Sequence, residues 1–191
     1  MANCTTKITA GLDPSCEALD KIGGVNKTVY FGNLDEITFT TDVDGNIDSV
    51  TLASSPQAYL YKFIGKTKKN SSTAELQVGE NTNTWKQSAI LKLYYFNQSE
   101  RDAIDALVKA DDLVAFIQTE AGTIEVLGWE KGIRAESATG STGVLIQDDT
   151  SVTVTISGEE TNLPKVLKLD TSNPGDASYI TDNITLLDAL C

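Results

Sequence analysis

Much of the chain alternates. Over residues 28–42, Val29, Tyr30 and Phe31 form an apolar segment before Gly32 and Asn33, and then Ile37 and Phe39 oppose Glu36, Thr38 and Thr40. A period of two marks a strand with one face covered, and a Gly-Asn pair inside such a run marks a bend or bulge. Residues 47–53 form a second run after Asp42-Val43-Asp44-Gly45-Asn46. Asp-Gly between two β runs predicts a hairpin, since glycine accepts positive φ. Residues 58–64 carry bulk on both faces: Tyr59, Tyr61 and Phe63 on one, Leu60, Lys62 and Ile64 on the other. That suits a central strand or one covered by a neighbouring subunit. Further strands are predicted over 73–78, 84–96, 113–118, 123–129, 132–136, 144–146 and 152–156. Within 84–96, Ile90, Lys92 and Tyr94 oppose Leu91, Leu93 and Tyr95; in the last run Val152, Val154 and Ile156 alternate with Ser151, Thr153 and Thr155.

One stretch changes period. The spacing predicts a helix over 98–110, the only one the pattern supports. Asn97 can cap its start, and Glu100, three residues on, can reach back to the cap. Ile104, Leu107 and Val108 form the apolar stripe, so the helix should lie across one side of a sheet and hold it through these three residues. Asp105 and Lys109 stand four apart in the favourable order, worth about 0.3 kcal/mol. Close passage of two backbones is expected around Val126, Gly128 and Lys131-Gly132. Residues 138–143 (ATGSTG) read as a flexible loop. Outside the β region, residues 1–27 read as an N-terminal arm with a short helical turn at 15–21, and 161–191 as a C-terminal arm, too apolar at Val166, Leu167 and Leu169 to be free and docked on something, another subunit being one candidate. The expected organisation is therefore an arm (1–27), a β-sandwich domain (28–160) and an arm (161–191).

Chemistry narrows the function by subtraction. The 191 residues include no histidine, so a Ser-His-Asp or Cys-His device is impossible and a zinc site is disfavoured. Asp42–Asn46 resembles the start of a calcium loop but lacks its spacing and closing glutamate, which favours a plain turn. Gly65-Lys66-Thr67 ends like a phosphate loop, yet the position five residues earlier is Leu60, inside a strand run. Lys66, Lys68 and Lys69 read as a solvated loop tip, or as a subunit contact pairing with an acidic neighbour. Cys4, Cys16 and Cys191 read as ordinary thiols, an intermolecular bridge through Cys191 being the alternative. The first residues contain no apolar signal region, and the longest tight apolar run, 113–117, is far too short to cross a bilayer. No enzyme activity, cofactor or metal is expected. The net charge of −12 disfavours nucleic-acid binding through a basic face. It serves solubility, or a duct through which DNA passes without sticking.

Residues 123–160 resemble the tail tube proteins of tailed bacteriophages, especially those of Bacteroides-like hosts. The likeness is carried by Leu127-Gly128-Trp129-Glu130-Lys131-Gly132, Thr139-Gly140-Ser141-Thr142-Gly143, Gln147-Asp148-Asp149 and the run 152–156 ending in Gly158-Glu159-Glu160. Upstream, Gly11-Leu12 with Cys16, Gly23-Gly24-Val25, residues 30–38 and the Asp44-Gly45 turn share the style, so the likeness spans about residues 8–165. The resemblance implies a mainly β, tail-tube-like β-sandwich or half-barrel with one flanking α-helix and extended arms. It also implies six-membered rings stacked into a tube for genome passage, located in the virion tail and assembled in the bacterial cytoplasm. Expected partners are further copies of the chain, other tail or neck proteins, and double-stranded DNA passing without specific binding; no membrane anchoring is expected. Glu36, Asp48 and Glu125 are the candidate lumen carboxylates. Tail hub, ring and neck components share the fold, as do inner tubes of contractile injection systems. A carbohydrate-binding β-sandwich using Tyr59, Tyr61, Trp85, Tyr94 and Tyr95 is the reading from a different class.

Overall fold

A mainly β architecture with three layers is built around one sheet that is apolar on both faces. The computed structural model describes residues 23–66, 68–80, 82–95, 97–142, 150–169, 176 and 178–191. The turn at 15–21, Cys4 and Cys16, and the strand at 144–146 lie outside them. In chain order the strands are β1 (Val25–Asn33), β2 (Ile37–Thr41), β3 (Ile47–Leu52), β4 (Tyr61–Ile64), β5 (Ser71–Val78) and β6 (Asn83–Tyr94). Helix α1 (Gln98–Lys109) follows, then β7 (Leu113–Thr119), β8 (Ile124–Leu127), β9 (Arg134–Ser141), β10 (Ser151–Glu160), β11 (Lys165–Val166) and helix α2 (Tyr179–Asp188).

The central sheet has the order β11-β8-β7-β1-β4, and a second sheet has β5-β6-β10-β9. Alternation sorts the side chains into two cores. Val29, Phe31, Leu113, Ala115, Ile117 and Leu127 leave the central sheet on one side, meeting Ala89, Leu91 and Leu93 of β6 and Val154 and Ile156 of β10. Tyr30, Val114, Phe116, Ile124 and Val126 leave it on the other. The second core is closed by the β2–β3 hairpin and the C-terminal segment, through Ile37, Ile47, Leu167, Tyr179 and Leu187. β7 is thus apolar on both faces from Leu113 to Ile117, the condition that gives a continuous hydrophobic run rather than alternation.

Two corners join the sheets. Antiparallel bridges link Gly65 to Leu93 and Leu113 to Ile133, so the sandwich is partly closed into a barrel around the first core. At the first corner Asn70, 6% exposed, donates from Nδ2 to the Asn26 carbonyl (3.1 Å) and accepts the Lys92 N–H on Oδ1 (3.0 Å). At the second, Gly128 and Gly132 have φ of +73° and +83°, and a Cβ on Gly128 would lie 2.8 Å from the Leu113 carbonyl. This is the close backbone passage that the sequence implies. Helix α1 lays Ile104 and Leu107 into the first core with Val108 packed beside them. Its capping box is formed: Asn97 Oδ1 accepts the Glu100 N–H (2.9 Å) and Glu100 Oε2 accepts the Asn97 N–H (3.2 Å).

The structure departs from the sequence expectations at four places. Residues 25–27, read as arm, already belong to β1, which pairs Val25 with Thr119. β4 is an edge strand, which excludes the central of the two readings, and Tyr59, Tyr61 and Ile64 are 49%, 53% and 57% exposed. Residues 138–141, read as loop, are strand: Ala138 pairs with Val154 and Gly140 with Val152. Most consequential, a second helix, α2, stands within 161–191 and packs on this chain's own sheet. Tyr179, Asn183 and Leu187 are its buried row. Asn183 Oδ1 accepts the Leu169 N–H (2.7 Å) while its Nδ2 donates to the Tyr179 carbonyl (2.8 Å), so the buried amide is satisfied within the fold. The Leu60 N–H donates to the Leu190 carbonyl (2.9 Å), and the Tyr30 hydroxyl and Lys62 ammonium both donate to Asp188 Oδ1 at 2.7 Å. Burial, with the Asp188 hydrogen bond adding to it, pushes the Tyr30 hydroxyl up to about 12, so it stays a donor at any physiological pH. The Lys62 hydrogen bond holds the Asp188 carboxyl below the usual aspartate range.

Candidate functional site

The spots that resemble chemistry resolve into turns and staples. Asp42 accepts the Asp44 and Asn46 N–H groups on Oδ1 (3.0 and 2.8 Å) and the Asn46 side-chain amide on Oδ2 (2.9 Å), while Gly45 takes φ +85°. Asp42–Asn46 is therefore an Asx-type hairpin turn. Gln87 and Glu160, both 0% exposed, clamp the turn between Gly128 and Gly132. Gln87 accepts the Gly128 N–H (3.1 Å) and donates to the Asn162 carbonyl (2.9 Å); Glu160 Oε1 accepts the Glu130 and Lys131 N–H groups (3.2 and 2.9 Å). Burial pushes the Glu160 carboxyl above the usual glutamate range, against the pull of those N–H donors. Sequence reading missed Gln87, Glu160 and Asn70. A signal existed for the first two: Gln87 is in phase with Ala89, Leu91 and Leu93, and Glu160 with Val154 and Ile156, so each is a polar residue on an apolar face. Among the described residues no group of three histidine, cysteine, aspartate or glutamate side chains is placed to hold a metal.

What remains is a surface. On the second sheet the odd-numbered residues of β6 face the core, so Thr84, Lys86, Ser88, Ile90, Lys92 and Tyr94 face out. Their cross-strand partners do the same. Thr73, Glu75 and Gln77 of β5 oppose Ser88, Lys86 and Thr84, and Thr153, Thr155, Ser157 and Glu159 of β10 oppose Lys92, Ile90, Ser88 and Lys86. Ser137, Thr139 and Ser141 of β9 extend the same face. It is dominated by hydroxyls, with Thr73 and Ser88 hydrogen-bonded at 2.8 Å. The charges on it balance: Glu75, Glu136 and Glu159 against Lys86, Lys92 and Arg134. Lys86 donates to Glu136 (3.2 Å), which also accepts from Ser157 (2.9 Å), and these bonds hold the Glu136 carboxyl below its usual range.

Both edges of this sheet are unpaired among the described strands. β5 carries Leu76 and Val78, 50% and 78% exposed. They oppose Trp85 and Asn83, so they point to the core side of the sheet but overhang the core. At the other edge, a cleft of about 420 Å³ opens between α1 and β9, lined by Tyr95, Ile104, Val108, Ala138 and Val152 and rimmed by Arg101, Asp102 and Asp105. The edges have different characters: apolar overhang on one, apolar cleft on the other.

The candidate lumen carboxylates are not brought together. Glu36 lies in the 3-10 turn Leu34–Glu36 and accepts from Asn33 (2.8 Å); Asp48 sits on the β2–β3 hairpin and accepts from Thr40 (2.6 Å). Glu125 is half-buried on β8, where burial pushes its carboxyl up. None lies on the open face of the second sheet. Lys66, Lys68 and Lys69 are exposed as expected, with the Lys66 ammonium 5.6 Å from the Tyr94 ring centre, but their loop is tied down on both sides by Gly65 and Asn70. Of the five aromatics of the carbohydrate reading, Tyr61 and Tyr94 line one cleft, and Trp85 and Tyr95 lie elsewhere. Tyr59 precedes β4 and Tyr61 begins it, Tyr94 is the outward residue at the end of β6, Trp85 is on the core side, and Tyr95 packs on the first core beneath Arg101. Cys191 is an exposed free thiol, and no described helix is long and apolar enough to cross a membrane. No protein-family model matches the chain, and no curated protein matches it.

Proposed function

We propose that the chain is a structural subunit of a bacteriophage tail tube, built into six-membered rings that stack around a channel for the genome. One observation supports this reading: among the described residues the second sheet is unpaired at both edges and uncovered on one face, on a body with two closed cores. An unpaired edge is a liability in a monomer and is completed by the next copy in a ring. The resemblance of residues 123–160 to tail tube proteins points the same way. In this reading the channel wall is the hydroxyl-rich open face. DNA would slide there because the charges of the strands balance, so the wall offers no net cation excess to release counterions against.

Electron microscopy of purified protein, and of particles from an induced lysate, tests the reading. Rings or tubes with six-fold symmetry, at a copy number of many per particle, are expected. A chain that stays monomeric at every concentration and is absent from particles would sink it. A copy number of only a few would move the assignment to a hub, ring or neck role, and a surrounding contractile sheath outside a virion to an injection machine.

A further inference from the structure

A cleft of about 440 Å³ opens between the edge strand β4, the end of β6 and the first half of α1. It takes in no residue of β5 or β9, the two edges on which the ring reading turns. Tyr61 and Tyr94 line it together with the apolar Phe63 and Ile104, and Lys62 and Glu100 supply its charges. The other tyrosines of the cores are committed inside the fold: the Tyr30 hydroxyl donates to Asp188, the Tyr179 hydroxyl donates to the Leu167 carbonyl, and Tyr95 lies beneath Arg101. Tyr61 is different. It is 53% exposed, and neither its ring nor its hydroxyl has a partner among the described residues.

We propose that this cleft binds a neutral sugar ring, with Tyr61 as the surface the ring stacks on and Glu100 as an acceptor for its hydroxyls. The site does not depend on the ring reading. Its polar groups are already positioned: Glu100 Oε2 accepts the Asn97 N–H in the capping box, and the Lys62 ammonium is held 2.7 Å from Asp188. The Lys66 ammonium stands 5.6 Å from the Tyr94 ring centre, behind that wall. A wholly apolar ligand would take Glu100 and Lys62 out of water and return no hydrogen bond. An anion would face Glu100, and a cation would face Lys62. A neutral polyhydroxylated ring meets both demands. Its C–H face lies against an aromatic ring, and its hydroxyls donate to the carboxylate and accept from the ammonium and the tyrosine hydroxyl. The volume suits this size of ligand, since small-molecule sites span about 300–1,000 Å³.

Full-length protein on an array of neutral and acidic oligosaccharides tests the site, followed by saturation-transfer NMR with the methyl glycosides of glucose, galactose, mannose and N-acetylglucosamine. Binding to neutral sugars is expected. Tyr61→Ala should weaken it about tenfold. Glu100→Gln, which keeps the capping box, should weaken it as well. Tyr59→Ala removes a tyrosine that is 49% exposed but outside the cleft, and should bind like wild type. All three positions are exposed, so melting temperatures should stay at the wild-type value; if Tyr61→Ala melts lower, Glu100→Gln decides. Absence of any neutral glycan signal on the array and of saturation transfer overturns the site, and so does binding unchanged in Tyr61→Ala and Glu100→Gln. Binding confined to acidic glycans overturns the neutral class. Each of these leaves the ring reading standing, because microscopy decides that one separately.

Discussion

Replacing Leu187 by alanine tests whether the C-terminal helix belongs to this chain's own core. Leu187 is fully buried against the second face of the central sheet, whereas its neighbour Leu186 is 41% exposed. Truncating a buried leucine removes its transfer energy and leaves a cavity, together about 2–5 kcal/mol. An exposed position away from special contacts stays within about 0.5 kcal/mol. For a chain of this size each kcal/mol lowers the melting temperature by about 2–4 °C, so Leu187→Ala should melt about 4–20 °C lower and Leu186→Ala within about 2 °C of wild type. The assay is thermal unfolding by circular dichroism, at a dilution where the chain is monomeric so that assembly does not contribute. If Leu187→Ala melts like Leu186→Ala in the monomer, the helix is not docked on its own sheet. If the loss appears only on assembly, α2 serves a neighbouring subunit.

Three further outcomes follow from the corners and the buried clamp. Asn70→Ala leaves the Lys92 N–H without its acceptor and should cost about 1–3 kcal/mol in urea unfolding; an unchanged midpoint would show that the first corner does not depend on it. Gly122→Ala, at φ +87° with open space around it, should cost only the left-handed penalty of about 1–2 kcal/mol, and Gly132→Ala more, because its Cβ would lie 2.8 Å from Asp112 Cα; equal losses would refute the close-passage argument. The Glu160 carboxyl is raised in the fold, so its contribution is fully present below the unfolded value and is lost as pH rises through the folded value. The melting temperature of wild type relative to Glu160→Gln should therefore fall from about pH 4 toward neutrality, and a flat or rising difference would mean that the Glu130 and Lys131 N–H donors outweigh burial.

Local pattern revealed the elements whose packing is local. The helix over 98–110 was legible because its cap, stripe and terminal salt bridge all lie within one short stretch. The β6 and β10 alternation was legible because one face is core and the other open. Where both faces are buried, alternation disappears. Residues 113–117 show only an apolar run, and nothing local says that the sheet carries layers on both sides. α2 was hidden for the opposite reason: its buried row Tyr179, Asn183, Leu187 has an amide in the middle, satisfied by Leu169 and Tyr179, and Thr181 and Thr185 lower its helix propensity. The far half of β9, residues 138–141, looks like a loop because small polar residues meet solvent on both faces. The candidate lumen carboxylates Glu36, Asp48 and Glu125 fall on three different elements, a spread that only register reveals. The hydroxyl-rich face emerges only once β5, β6, β10 and β9 are laid side by side.

The C-terminal docking also fixes an order of events during synthesis. The first core draws on residues up to Ile156 and can close once β10 has left the ribosome. The opposite side of the same sheet leaves Tyr30, Val114, Phe116 and Val126 covered only by the β2–β3 hairpin until Leu167, Tyr179 and Leu187 arrive, and Tyr30 meets Asp188 across 158 positions of chain. A nascent chain therefore presents a closed first core with one greasy flank until residues 167–187 emerge. A chain cut before residue 167 would be stranded in that form, its uncovered apolar flank prone to sticking to other copies.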